Sequence, residues 1–202
     1  MPNHITNVVK ILSNSSERAQ EVMAAAIDLN GGIFDFNRIV PMPDILRGTN
    51  SPNNVNGSKC LEETGYDSWY TFSVNEWGTK WNAYSQRNSI MLNDIGNDAE
   101  ENERLVLENI KANGGYPTIV RFETAWSTPV QLYSAFSEKF PDVTIEVLYA
   151  DEDTGYNCGT LMFNAGLLTY DNSAPAGNSR TPSDDEYWEK FAESVYCYDV
   201  GC

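Results

Sequence analysis

Basic residues are scarce in this chain. Thirteen lysines and arginines face 29 aspartates and glutamates over 202 residues, for a formal net charge of −16. A field of that sign repels a nucleic-acid backbone and an anionic membrane and attracts basic partners, so direct binding to long nucleic acid or to membranes is not expected. Histidine is scarcer still, because His4 is the only imidazole. Any serine or cysteine nucleophile would have to use it, yet no G-x-S-x-G elbow, P-loop or Rossmann glycine fingerprint accompanies it. A structural hydrogen bond is the expected role of His4, and no catalytic residue is assigned. The four cysteines, Cys60, Cys158, Cys197 and Cys202, form no C-x-x-C pair and make a poor zinc set with one histidine. They are expected to be buried free thiols, with no metal site and no cofactor. Asp151, Glu152 and Asp153 are three successive acids, but the EF-hand pattern is absent and a solvated loop is expected. No apolar run approaches the ~20 residues that span a bilayer. The start lacks the basic stretch and apolar core of a secretory leader, so the cytosol is the expected compartment.

What is present suits one domain with a large insertion. Apolar residues make up 41%, enough for a full core, and aromatic residues 12%, with 11 tyrosines and five tryptophans. Tyr and Trp combine a flat apolar body with a polar tip, which suits both cores and binding surfaces. The charge is uneven. From Asp142 to Cys202 there are 12 acids and only Arg180 and Lys190 as bases, whereas Met1 to Pro41 is nearly neutral. The acidic region, with Asp184, Asp185, Glu186 and Glu189 at its densest, is either a solubilising surface or an imitation of a phosphate backbone.

Periodicity predicts two β-α-β units. In the first (residues 1–41), Ile5 to Leu12 is a strand and Asn14 with Glu17 offers a helix start. Ala19, Val22, Met23, Ala26 and Ile27 follow at helical spacing, and Ile33 to Asn37 returns as a strand. In the second (116–170), Thr118 to Thr124 alternates as a strand. Thr128 and Gln131 read as a capping box with Pro129 in the first turn. Leu132, Tyr133, Phe136 and Phe140 form an apolar stripe, and Val143 to Tyr149 alternates again. A hairpin is expected from Cys158–Phe163 to Leu167–Tyr170. Between the units lies an insertion (42–115) with an aromatic stretch at Trp69–Phe72, an expected strand from Trp77 to Tyr84, and a helix from Asn97 through Lys111 with Leu105, Leu107 and Ile110 toward the core. A final helix, with Ser183 and Glu186 as its capping box, belongs to an acidic extension (171–202). The pattern predicts an α+β protein: a ferredoxin-like α/β sandwich with helices on one face of the sheet.

Several segments sharpen that expectation. Met1–Asn7, Phe34–Pro43, Trp77–Tyr84 (Trp-Gly-Thr-Lys-Trp-Asn-Ala-Tyr), Phe122–Pro129 and Leu148–Glu152 resemble, in kind and in order, the YubB-type ferredoxin-like domain family. The resemblance covers about residues 1 to 170 and implies cargo of bacteriophages, plasmids or integrated elements, with no assigned biochemical role. Small proteins of such elements often bind host machinery, including defence systems.

Two binding surfaces follow. If Trp77 to Tyr84 is a strand, Trp77 and Trp81 face the core, and Lys80, Asn82 and Tyr84 form an opposite face able to hold a phosphate or a base edge. Arg121 would sit beside Lys80 if the two strands pair. Trp126 opens a helix whose first amides could hold an anion. The leading expectation is a non-enzymatic interaction protein that binds a host protein with a basic surface through its acidic residues. The alternative is a small-ligand or nucleotide binder using Lys80, Asn82, Arg121 and nearby aromatic rings. Sequence does not fix the oligomeric state.

Overall fold

The computed structural model describes residues 3–175 and 180–198. Met1, Pro2 and Cys202, named above, lie outside them. Strands β1 (His4–Leu12), β4 (Tyr84–Arg87), β5 (Ile119–Ala125), β6 (Thr144–Asp151), β7 (Cys158–Asn164) and β8 (Leu167–Ser173) form one six-stranded sheet in the order β4-β5-β1-β6-β7-β8. Each neighbouring pair is antiparallel, so β4 runs parallel to β1, and β6 parallel to β5. With α1 (Ser16–Ala26) between β1 and β4, and α6 (Val130–Lys139) between β5 and β6, this is two interleaved split β-α-β units. That is the ferredoxin-like arrangement, extended at one edge by the β7–β8 hairpin.

The first unit closes on a different strand from the one expected. Ile33–Phe34 (β3) pairs only with Ile27–Asp28 (β2) in a separate ribbon, and the chain then coils into α2 (Phe36–Ile39), capped by Asp35. The returning strand is β4, which begins 50 residues after the end of β3. Phe34 and Phe36 still enter the core, stacked on or edge-on to Phe122 of β5. An alternation of two phenylalanines marks burial without fixing the backbone.

Pleating sends Ile5, Val9 and Ile11 of β1 to the side where α1 and α6 pack, in one core with Val22, Met23, Leu132, Tyr133 and Phe136. The opposite side is covered as well. Helix α7 (Pro182–Tyr196) lays Trp188, Ala192 and Val195 on Val8, Ala150 and Cys158. The expected bare face is therefore half covered, and the expected acidic extension is a structural layer. The remaining helices are α3 (Gly57–Thr64), α4 (Trp69–Phe72) and α5 (Ala99–Ala112).

Several local expectations shift by a residue or two, for hydrogen-bonding reasons. Ser15, not Asn14, caps α1 by accepting from Arg18 N. Helix α5 starts behind Asp98 and buries Asn102, Val106 and Ile110, leaving Leu107 exposed. In α7 the reciprocal capping box is Thr181 with Asp184, and Pro182 sits in its first turn. Thr128 does not cap α6, because its hydroxyl donates into the core, to Asn7 Oδ1 at 2.7 Å. Cys60 and Cys158 are buried free thiols, and burial pushes the Cys158 thiol up to about 11. Cys197 is disulfide-bonded, so the expectation of four free thiols fails there. Among the described residues no helix is long and apolar enough to cross a membrane.

Candidate functional site

The segment expected as a strand from Trp77 to Tyr84 is built quite differently. A π-helical turn (Ser73–Trp77) ends at Gly78, which is left-handed at φ +82°. Only glycine adopts that conformation without strain, and a Cβ there would lie 2.0 Å from Gln131 Oε1. Trp77 is buried between Phe36 and Phe72, and its indole N–H donates to the Val40 carbonyl at 2.9 Å. Thr79 donates to the Ala125 carbonyl (2.8 Å), and Ser127 donates to the Gly78 carbonyl (2.6 Å). These bonds fasten the turn to the β5–α6 connection.

Asn82 belongs to the same scaffold. Its Oδ1 accepts from Phe36 N at 3.0 Å and its Nδ2 donates to Asp35 Oδ1 at 2.6 Å. Asn82 is therefore a clasp between two loops and is not available as a ligand group. Trp77 and Trp81 do not share a face. Trp77 is 3% exposed and Trp81 is 38% exposed.

Lys80 remains. Its ammonium sits 4.8 Å from the centre of the Trp81 ring and 4.6 Å from that of Trp126, a double cation–π contact. It makes no ion pair among the described residues, despite the excess of acid in the chain. Trp126 is 46% exposed and left-handed at φ +73°, a conformation costly for a bulky side chain. Its N–H is held by the Asn3 carbonyl at 2.9 Å. Tyr70 meets Trp126 edge-on and Trp69 meets Tyr70. Ser51, Trp69, Tyr70, Lys80 and Trp126 line a shallow hollow of about 270 Å³. The ledge so formed continues through Trp81 to Tyr84, and from Tyr84 to His4, by edge-on ring contacts.

Arg121 is not beside Lys80. It lies on β5 opposite Arg87 of β4, on the face that also carries α7. Burial lowers its guanidinium from the usual range, and the Arg87 charge adds to that. Its Nε is buried without a hydrogen-bond partner. Tyr84 lies beside Glu123, its hydroxyl 2.8 Å from His4 Nδ1. Burial, reinforced by Glu123 and Glu152, pushes that phenol up to about 12. The His4 hydrogen bond expected from sequence is present, and Glu123 Oε2 stands 3.9 Å from the same ring nitrogen.

The acidic residues singled out on α7 are partly occupied. Asp184 bonds back to Thr181 and Asp185 Oδ1 lies 2.8 Å from Arg180 Nε. The same Nε makes no hydrogen bond, so that pairing is one of charge and not of aligned geometry. Glu186 pairs with Lys190, one turn along, at 2.6 Å. Glu189 and Glu193 are exposed and make no ion pair among the described residues. Asp151 is buried, with both carboxylate oxygens accepting from Asn3, Asn157 and the Asp153 backbone. It therefore differs from the solvated acid expected there. Sequence reading missed Trp81 as an exposed ring and the half-buried Trp69 and Tyr70 as walls of the hollow, because spacing alone does not separate a buried ring from an exposed one.

The fold and these surfaces define a ferredoxin-like α+β domain with an added hairpin and a second helical layer. Residues 108–199 match the family model described as a ferredoxin-like domain in Api92-like protein. The match covers under half of the chain, so it marks a similarity in that part, and it includes α7. No curated protein and no solved structure matches the chain.

Proposed function

We propose that this chain is a non-enzymatic interaction protein of a bacteriophage or plasmid, in line with the YubB-type resemblance. It docks on a host protein with a basic surface, for which a defence system is the leading candidate. Trp126 carries the reading. A nearly half-exposed indole on a strained backbone would be replaced at little cost if it served only packing, whereas exposed Trp, Tyr and cationic side chains in one patch suit the centre of a protein interface. The acidic field supplies attraction at long range. Within α7, Glu189 and Glu193 are the carboxylates left without a partner among the described residues, so any likeness to a phosphate row on this helix is narrower than Asp184, Asp185, Glu186 and Glu189 together would make it.

The test is capture from a bacterial host at low salt, followed by affinity measurements on the purified partner. The expected result is an affinity that falls steeply with salt and at least about 30-fold, some 2 kcal/mol, on Trp126→Ala. Salt-insensitive binding, or binding untouched by Trp126→Ala and Trp81→Ala together, would overturn the proposal.

One observation favours a second reading. Lys80 offers an ammonium with no ion pair among the described residues beside exposed ring faces in a small hollow, a combination suited to the base and phosphate of a single nucleotide. A nucleotide panel in thermal-shift assays, with no change in Tm for any member, would end it.

A further inference from the structure

Helix α7 packs chiefly on β1, β6 and β7, reaching β5 at Ile119, and leaves the face open around Arg121 and Glu123. A cleft of about 460 Å³ lies there, lined by His4, Thr6, Arg121, Glu123, Glu152 and Tyr196. The Tyr196 hydroxyl is tied to the Asp151 carbonyl, which fixes the end of α7 as one wall.

Two kinds of charge share this cleft without forming a direct ion pair with each other. Arg121 and Glu123 are two apart on β5, so their side chains stand on the same face with Cα atoms roughly 7 Å apart. Arg121 forms no ion pair among the described residues, and its Nε is buried with no acceptor. The residue opposite it on β4 is another cation, Arg87, which makes an anion more welcome still. Glu123 and Glu152 stand at the other end, near enough for both to act on the Tyr84 hydroxyl. Arg121 lines the cleft and has no carboxylate partner among the described residues, so a ligand carboxylate reaching its guanidinium from the cleft would supply one. A simple anion would meet the two carboxylates, and a simple cation would meet two guanidinium groups. A molecule with both charges, separated by a few bonds, meets neither penalty.

We infer that this cleft binds a small zwitterion of the amino-acid class, with its carboxylate on Arg121 and its ammonium between Glu123 and Glu152. The cleft adjoins the His4 end of the aromatic ledge but shares no lining residue with the Lys80–Trp126 hollow, and the inference does not rest on the docking reading. The experiment is calorimetric titration of the full chain with the standard free amino acids, and with propionate and propylamine as the two half-ligands. The expected result is saturable binding of at least one amino acid, with each half-ligand at least tenfold weaker. Arg121→Gln and Glu123→Gln each lower the affinity at least tenfold, and Glu62→Gln, exposed on α3, leaves it unchanged. If Arg121→Gln fails to fold, Glu123→Gln and Glu152→Gln carry the test. The inference is overturned if no amino acid binds at concentrations up to about 10 mM, where even millimolar affinity would register. It is also overturned if propionate binds as tightly as the amino acids and the glutamate variants change nothing.

Discussion

Replacing Asn7 by alanine tests the core most sharply. Asn7 is fully buried on β1, on the side of α1 and α6. Its Nδ2 donates to the Ile5 carbonyl and to Thr124 Oγ1, both at 2.9 Å. Its Oδ1 accepts from Thr128 Oγ1 at 2.7 Å and from the Tyr133 hydroxyl at 3.1 Å. Every hydrogen-bonding position of the amide is used. Thr124 keeps its own donation, to the Ser127 carbonyl, so Asn7→Ala strands two donors, the Thr128 and Tyr133 hydroxyls, in a dry core. At about 1–3 kcal/mol for each unsatisfied group, the loss should be about 3–5 kcal/mol. Urea unfolding followed by tryptophan fluorescence measures it. With a slope of about 2 kcal/mol per molar, the midpoint falls by roughly 2 M. The argument also requires coupling. In an Asn7→Leu background, Thr128→Val and Tyr133→Phe should cost less than in the native chain, by about 1–2 kcal/mol in a double-mutant cycle. A loss below about 1 kcal/mol for Asn7→Ala, or strict additivity, would refute the account of Asn7 as the junction of β1, β5 and α6.

Other expectations follow from the same geometry. Trp126→Gly should be more stable than Trp126→Ala by about 1 kcal/mol in urea unfolding, since only glycine relieves the left-handed backbone; equal stabilities would deny the strain. Trp188→Ala should cost about 3–5 kcal/mol as a buried large-to-small change. Glu189→Gln with Glu193→Gln should stay within about 0.5 kcal/mol, which separates α7 as a layer from α7 as a charged surface. On the alkaline side, burial raises Tyr84 to about 12 and lifts Tyr133, Tyr149 and Tyr196 above their ordinary 10.0. A raised folded value means stability complete below pH 10 and lost as pH climbs through the folded values. Unfolding between pH 10 and 12 should therefore coincide with tyrosinate absorbance. On the acid side, Asp142 is lowered by its bond from Arg18, Asp67 by Thr71 and Ser68, and Asp184 by the Thr181 backbone. Their contribution is complete above the ordinary 3.8 and is lost as pH falls below it, measurable as a drop in Tm there.

Much of the ferredoxin-like core was legible because its elements are regular. Alternation in β1, β5, β6 and β7 and the helical spacing of Val22, Met23, Leu132 and Phe136 state their own periods. Pairing was less legible. The partner of β5 at the sheet edge is Tyr84–Arg87, a four-residue strand with no apolar alternation, while the more strand-like Ile33–Asn37 gives only the two-residue β3, outside the main sheet, before turning into α2 behind Asp35. Capping could be read in kind but not in register, since serine, threonine, asparagine and aspartate compete within two residues of each start. Of the candidate binding residues, Lys80, Tyr84, Arg121 and Trp126 do reach solvent or a cleft. Asn82 does not, because its amide is consumed by Phe36 and Asp35.

That outcome explains how a specific motif can matter without touching a ligand. In the run from Trp77 to Asn82, most side chains serve the backbone: Trp77 holds the Val40 carbonyl, Thr79 the Ala125 carbonyl, and Asn82 the Phe36 amide. Gly78 supplies the left-handed step at φ +82°, and a Cβ there would also displace the Gln131 amide packed against it. These bonds fix the distance between the turn and the β5–α6 connection, and so set Lys80 against Trp126. Lys80 and Trp81 are the members of the motif that point away from the scaffold. If the chain binds through this ledge, residues that never meet the partner decide whether the lysine and the two indoles are presented together.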